Sequence, residues 1–424
     1  MILNSIEIKA VEKEEFKFRK NSFSLMQSAG ERCSDYISSK ISKNDEILVI
    51  CGPGNNGGDG FIIGNCLINK GYKVKIFLIL PIKNKKKDNY KAFNKLNCEV
   101  FCLKDLHKEL KRKTRPIIID CIFGVGLNRK LNSNIINTIK AINKKKTIVF
   151  SIDIPTGINS DNGKVMGEAI KANFTLALHC KKLGHILFPG TYFSGLIKIL
   201  NIGIKKSLNK FVNNKIQENN PSLWINKKFP WKKYNSHKYS RGRAYVYGSL
   251  KNYIGASLLS SSAAIRCGVG SVTVIANKDT IDKYNQKFFS LLKIEINSID
   301  ELKFFLKKNI ITSLLIGPGA GVNQKTFENT KLISKFVNNM VIDADALTSF
   351  SKNPKQLFLI LDKNKIITPH EGEFNRIFPD FKNINNKIEK TLKASKKANC
   401  VLVLKGPDTI IASPDGKVCV NTVS

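Results

Sequence analysis

The chain has 424 residues, 42% of them hydrophobic, enough for two domains with their own cores and too apolar for wholesale disorder. Lysine and arginine number 70 against 33 acidic residues, a net charge of +37; lysine runs the whole length beside abundant Asn and Ile, all three with AT-rich codons, so the excess reads as composition bias and nucleic acid is not an expected partner. No uncharged apolar run reaches ~18 residues, so no membrane span is expected, and an N-terminal stretch carrying Glu7, Glu12, Glu14 and Glu15 does not read as a secretory leader. The 10 cysteines are scattered with no C-x-x-C pair, which fits reduced thiols of a cytoplasmic protein.

In chain order, Glu46–Cys51 is a short apolar run ending in glycines, the pattern of a buried parallel strand. A helix is expected over Asp59–Lys70 and a second strand over Lys73–Leu80. Pro116–Asp120 and Thr147–Asp153 are two more strands, each ending in an Asp before a Gly- or Pro-containing turn. Such alternation predicts a doubly wound α/β sheet, with ligands beyond the carboxyl ends of its strands. Composition shifts after Gly203, and the polar, basic stretch 206–235 reads as a linker between domains at 1–205 and 236–424. Strands then resume at Arg243–Tyr247, Ser271–Ile275, Ser313–Ile316, Met340–Ile342, Lys365–Ile367, Cys400–Leu404 and Lys417–Val420, with a small-residue helix over Gly255–Cys267. A second α/β domain is expected there.

Three turns carry polar chemistry. Gly52-Pro53-Gly54-Asn55-Asn56-Gly57-Gly58-Asp59-Gly60 contains a formal G-x-G-x-x-G, which lets backbone N–H groups approach a phosphate. An ordinary dinucleotide site also needs an acid at the end of the next strand, and Ile79-Leu80-Pro81 supplies none, so a plain Rossmann dehydrogenase is disfavoured. Two amides and a carboxylate on permissive backbone can instead grip hydroxyls, an amide ligand or a hard cation. Asp120-Cys121-Ile122-Phe123-Gly124-Val125-Gly126-Leu127-Asn128-Arg129 combines an acid, close-approach glycines and a phosphate-pairing Arg. Ser151-Ile152-Asp153-Ile154-Pro155-Thr156-Gly157 puts a third carboxylate at a strand end.

In order and spacing these three segments resemble the epimerase domain of the NAD(P)H-hydrate repair proteins, a Rossmann-like three-layer αβα sandwich that interconverts the C6 epimers of hydrated NADH and NADPH (NADHX and NADPHX). The resemblance implies that Asn55, Asn56, Gly57, Gly58 and Asp59, with Gly124, Val125, Gly126, Leu127, Asn128, Arg129 and Lys130, bind the damaged cofactor. It implies potassium held by Asn56, Asp120 and Thr156, and Asp153 as acid/base at the reacting ring. Lys182, in Lys182-Leu183-Gly184, stands where the family often has Lys-x-Gly and is a second catalytic candidate. Val125 replaces a commoner Thr.

The second half resembles the partner dehydratase, which is ribokinase-like and uses ADP, with magnesium a further expected cofactor. The matching pieces run from Gly242–Ser249 through Gly317-Pro318-Gly319, Asp343-Ala344-Asp345-Ala346-Leu347 and Thr368-Pro369-His370-Glu371-Gly372-Glu373 to Lys405-Gly406-Pro407-Asp408-Thr409. The resemblance implies that Ala256, Gly319 and His370 line the hydrate site and that Lys405, Gly406, Pro407, Asp408 and Thr409 approach the nucleotide. The family's phosphate-anchoring G-[TS]-G-D does not follow Asn421-Thr422-Val423-Ser424, so this domain is expected to be incomplete and its dehydratase half impaired. A homo-oligomer is expected. The alternatives are an RNA-associated scaffold, which would not need Asn56, Asp120 and Asp153 together, and a small-molecule kinase of the ribokinase class, which would also need the terminal glycine–aspartate segment.

Overall fold

The computed structural model describes the chain except residues 20, 206–214, 227–228, 232–233, 239, 288–289 and 423–424. It divides into two compact units, Met1–Gln217 and Glu218–Ser424. Parts of the expected linker, including the lysine pair 232–233, lie outside the described residues, as do the last two residues; within 206–235 the described strand Ile216–Glu218 adds to the second unit's sheet.

The first unit opens with β1 (Ile2–Leu3), α1 (Ser5–Arg19) and α2 (Phe23–Ser38). β2 (Glu46–Cys51), α3 (Asn55–Asn69), β3 (Lys73–Leu78), α4 (Asp88–Asn94), β4 (Val100–Cys102), α5 (Leu103–Lys111), β5 (Ile117–Cys121), α6 (Ser133–Lys144) and β6 (Val149–Ile152) alternate after them. β7 (Phe174–Leu178), β8 (Lys181–Lys182), two short helices and β9 (Leu196–Leu200) complete it. Seven parallel strands run in the order β4-β3-β2-β5-β6-β7-β9. Strand alternation builds two cores. Ile47, Val49 and Cys51 face α2 and α3, while Leu48 and Ile50 face α5 and α6. This is the expected three-layer sandwich.

Two local readings are corrected. The helix after β2 starts at Asn55, four residues before the expected Asp59, because Gly54 is extended and ends the strand-side turn, so Asn55–Asp59 is helix rather than loop. The third strand stops at Leu78, before Pro81, which cannot donate to a ladder. A separate two-stranded parallel pairing, Ile2 with Lys181 and Leu3 with Lys182, joins the start of the chain to β8.

The second unit is a ten-stranded mixed sheet. Its parallel strands include Arg243–Tyr247, Ser313–Ile316, Asn339–Ile342, Lys365–Ile367 and Val401–Leu404; Thr409–Ala412 and Val418–Asn421 are antiparallel. This is the second α/β architecture expected. Among the described residues no helix is long and apolar enough to cross a membrane.

Candidate active site

Strands β2, β5 and β6 are neighbours, with Cys51 opposite Cys121 and Asp120 opposite Ser151. The three polar turns therefore leave one sheet edge side by side. Asp120 is fully buried. Its Oδ2 accepts from the Ser151 hydroxyl (2.8 Å) and the Thr156 N–H (2.9 Å), and its Oδ1 from the Thr156 hydroxyl (2.6 Å) and the Ile122 N–H (3.3 Å). Burial pushes the Asp120 carboxyl up, and those bonds pull it part of the way back. The Thr156 hydroxyl also accepts from the Phe123 N–H at 3.0 Å, which ties the second turn to the third.

Asn56 lies on the first turn of α3, packed so that a Cβ added to Gly124 would stand 3.5 Å from its Cβ. It is buried, and neither polar atom of its amide has a hydrogen-bond partner. Burying an unsatisfied amide costs about 1–3 kcal/mol, and the fold leaves both polar atoms of this one with their hydrogen-bonding capacity unused. An amide oxygen, a hydroxyl and one carboxylate suit a hard cation of low charge; among the described residues no cluster of three His, Cys, Asp or Glu could hold a metal.

Asp153 takes a left-handed conformation, φ 68°, at the end of β6. That turn aims Oδ1 at the Leu178 N–H (3.2 Å) and at the Lys182 ammonium, with which it forms a buried ion pair. Lys182 also donates to the carbonyls of Leu178 (2.9 Å) and Cys180 (3.1 Å). Its own N–H donates to Nδ1 of buried His185 at 3.1 Å. Burial, with Lys182 second, holds the His185 imidazole well below its usual range, so it stays neutral.

The pair opens into a cavity of about 100 Å³ that Asn55 and Asp59 also line. One water needs ~10–15 Å³ of such space, so a ring-sized group fits. Burial, then the neighbouring Asp153 and Glu12 carboxylates, push the Asp59 carboxyl well above its ordinary range, against Lys182. Gly57 and Gly58 serve close packing: an added Cβ would meet the Gly52 carbonyl at 1.9 Å and the Met26 sulfur at 2.6 Å. In the second turn Val125 packs on the apolar cluster of Leu3, Ile8 and Val11, Leu127 is buried, and Gly126, Asn128, Arg129 and Lys130 are exposed.

The sequence reading missed Glu12, a half-buried acid on α1 that lines the same cavity. The available signal was the apolar face Ile8, Val11 beside it, which marks α1 as a packed helix rather than a loose leader.

In the second unit, Ala256 and Gly319 share a cleft with Tyr253 and Asp345. His370 does not line it. Its Nδ1 instead caps the following helix by accepting from the Gly372 (3.0 Å) and Glu373 (3.3 Å) N–H groups. The Lys405 N–H donates to the Pro369 carbonyl at 2.9 Å, which sets the His370 turn beside Lys405–Thr409. The Lys405 ammonium pairs with Asp343 at 2.7 Å, Lys387 pairs with Asp408, and the Thr409 hydroxyl donates to the Gly406 carbonyl at 3.0 Å.

Two α/β units, one with a buried acid–base pair facing a ring-sized cavity, define an enzyme of nucleotide-type ligands. The family described as YjeF-related protein N-terminus matches residues 22–184, and that described as NAD(P)H-hydrate dehydratase matches 244–424. A bifunctional NAD(P)H-hydrate repair enzyme Nnr of Dictyoglomus turgidum is 30% identical, the match covering 99% of this chain and 84% of the relative. One of Thermofilum pendens is 27% identical over 94% of this chain and 78% of its own. The chain belongs to this family of bifunctional NAD(P)H-hydrate repair enzymes. A yeast crystal structure resembles it at 21% identity and TM-score 0.44, covering 50% of this chain and 93% of that one. A Bacillus subtilis ADP/ATP-dependent NAD(P)H-hydrate dehydratase, co-crystallised with ATP/Mg2+, does so at 23% and 0.37, covering 46% and 69%. Likeness at that level adds nothing to the assignment.

Proposed function

We propose that the chain repairs hydrated nicotinamide cofactors, its first unit epimerising R- and S-NAD(P)HX at C6 and its second acting in ADP-dependent dehydration of the S epimer to NAD(P)H. The observation that carries the epimerase reading is the buried Asp153–Lys182 pair opening into a cavity edged by Asn55 and Asp59. Epimerisation breaks the C6–O bond and remakes it on the other face, with positive charge on the ring between. The Asp153 carboxylate, aimed by its backbone and held by Lys182, stabilises that charge and accepts a proton. The exposed Arg129 and Lys130 suit the cofactor's phosphates, and the first-turn amides of α3 suit its diphosphate.

Asn56, Asp120 and Thr156 fit potassium, the orphaned Asn56 amide being the best support. The ion would offset the buried Asp120 charge and draw oxygen ligands to the turn. In the second unit Ala256 and Gly319 would take the hydrate and Lys405–Thr409 the ADP, with magnesium; His370 is proposed nearer the nucleotide turn than the Gly319 cleft. The fused family architecture disfavours both a scaffold and a small-molecule kinase.

The test is incubation of the whole chain with purified R-NADPHX in potassium or sodium buffer, following the S epimer by chromatography, with a parallel arm containing ADP and magnesium that follows NADPH. Interconversion no faster than the enzyme-free rate would refute the epimerase reading.

A further inference from the structure

The cavity beside Asp153 has a wall that the expected site residues leave unused. α1 supplies it, and α1 is held in place. Leu3 pairs with Lys182, the Ser5 hydroxyl and N–H both donate to Asp161, and the Arg19 guanidinium binds Glu15 (2.7 Å) and the Gly203 carbonyl (2.9 Å). The Lys205 N–H returns a bond to Glu15 at 3.2 Å. Ile8 and Val11 pack this helix onto Leu25, Ile202 and Ile204. Glu12 is therefore presented by a clamped helix, and among the described residues its carboxyl has no hydrogen-bond partner.

We propose that Glu12 is a second proton-transferring residue of the epimerase pocket, acting from the α1 wall on the oxygen at C6 while Asp153–Lys182 holds the ring. This rests on the epimerase reading above. Epimerisation needs an acid for the departing hydroxyl and a base for the water that replaces it. Glu12, protonated, gives its proton to the C6 hydroxyl as the C–O bond breaks; water departs with the bonding pair, and the ring keeps the positive charge. A second water attacks C6 from the other face, its lone pair forms the new C–O bond, and its proton passes to Asp153. One water leaves, one enters, nothing is oxidised, and one proton exchanged with solvent resets the two carboxyls. For the opposite epimer the roles exchange.

The surroundings support this. The titratable groups around Glu12 are Asp153 at the end of β6, Lys182 of β8, Asp59 of α3, the Cys180 thiol and Lys9 of its own helix, with Asp88 and His179 on the same cavity. Burial first and the Asp153 carboxylate second push Glu12 up to about 7, against Lys182 and Lys9. A group half protonated near neutrality is suited to both donating and accepting.

The experiment compares wild type, Glu12→Gln and Glu12→Asp as whole chains. The expected result for Glu12→Gln is a fall in kcat of at least ~100-fold with KM within about threefold, loss of the pH limb near neutrality, and partial recovery in Glu12→Asp. Glu12→Gln turning over within about threefold of wild type with an unchanged pH profile would overturn the proposal. A second arm needs no turnover. A carboxyl raised from 4.5 to about 7 in the folded state binds a proton that the unfolded chain has released, so folding weakens as pH rises through that window. The wild-type Tm is expected to fall more between pH 5 and 8 than that of Glu12→Gln; superimposable curves would overturn the assignment of Glu12. Wild type silent towards both hydrates, with the Tm difference present, would instead strike the epimerase reading.

Discussion

Replacing Lys182 by Met tests the pair on which the site is built. Lys182 is 2% exposed and Asp153 11%, and the ammonium donates to Asp153 and to the carbonyls of Leu178 and Cys180. Met fills most of the volume but leaves the Asp153 carboxylate buried with the Leu178 N–H as its remaining partner. Breaking a buried pair from one side costs roughly 3–5 kcal/mol; slight exposure of Asp153 favours the lower end, about 3 kcal/mol. For a unit of this size that lowers Tm by about 6–12 °C. The double variant Lys182→Met with Asp153→Asn carries no stranded charge and should cost only about 1 kcal/mol, about 2 kcal/mol less than Lys182→Met alone. Both tryptophans, Trp224 and Trp231, lie in the second unit, so urea unfolding should be followed by circular dichroism and by hydrogen exchange of β6 and β7 rather than by fluorescence. A double variant no more stable than Lys182→Met would show that the two groups do not stabilise each other, and the pair could not be a preorganised acid–base unit.

Three further outcomes follow from local geometry. Asn56→Ala should leave Tm unchanged or slightly raised in sodium buffer, because it removes an unsatisfied buried amide, yet abolish any Tm rise that potassium gives wild type; a retained potassium response would exclude Asn56 as a ligand. Gly57→Ala should leave the first unit unfolded or insoluble, since its Cβ would lie 1.9 Å from the Gly52 carbonyl; a folded variant of ordinary solubility would contradict the packing. Gly124→Ala, with its nearest neighbour at 3.5 Å, should cost under about 0.5 kcal/mol by urea titration, and a loss above about 2 kcal/mol would mean that the turn is packed otherwise.

How much of this was legible beforehand depends on the range of the interaction. The strand Glu46–Cys51 was readable because a short apolar run ending in glycines has one stable use in an α/β chain, and β2 has those bounds. The start of α3 was misread because its glycines look like loop until packing demands them: Gly57 must clear the Gly52 carbonyl of its own turn, and Gly58 the Met26 sulfur of α2, a segment far away in the chain. His370 was expected in the hydrate cleft, whereas its ring caps a helix, a use that spacing alone does not separate from ligand binding.

By itself the sequence determined the layers, the order of the polar turns and the edge from which they project, because periodicity and turn chemistry act within a few residues. Only the tertiary structure decided that Lys182 reaches Asp153 across 29 positions and that α1 carries Glu12 to the same cavity. Those meetings depend on parallel register, on the pairing of Leu3 with Lys182 and on the clamp at Arg19, contacts between segments far apart in the chain that no local pattern encodes.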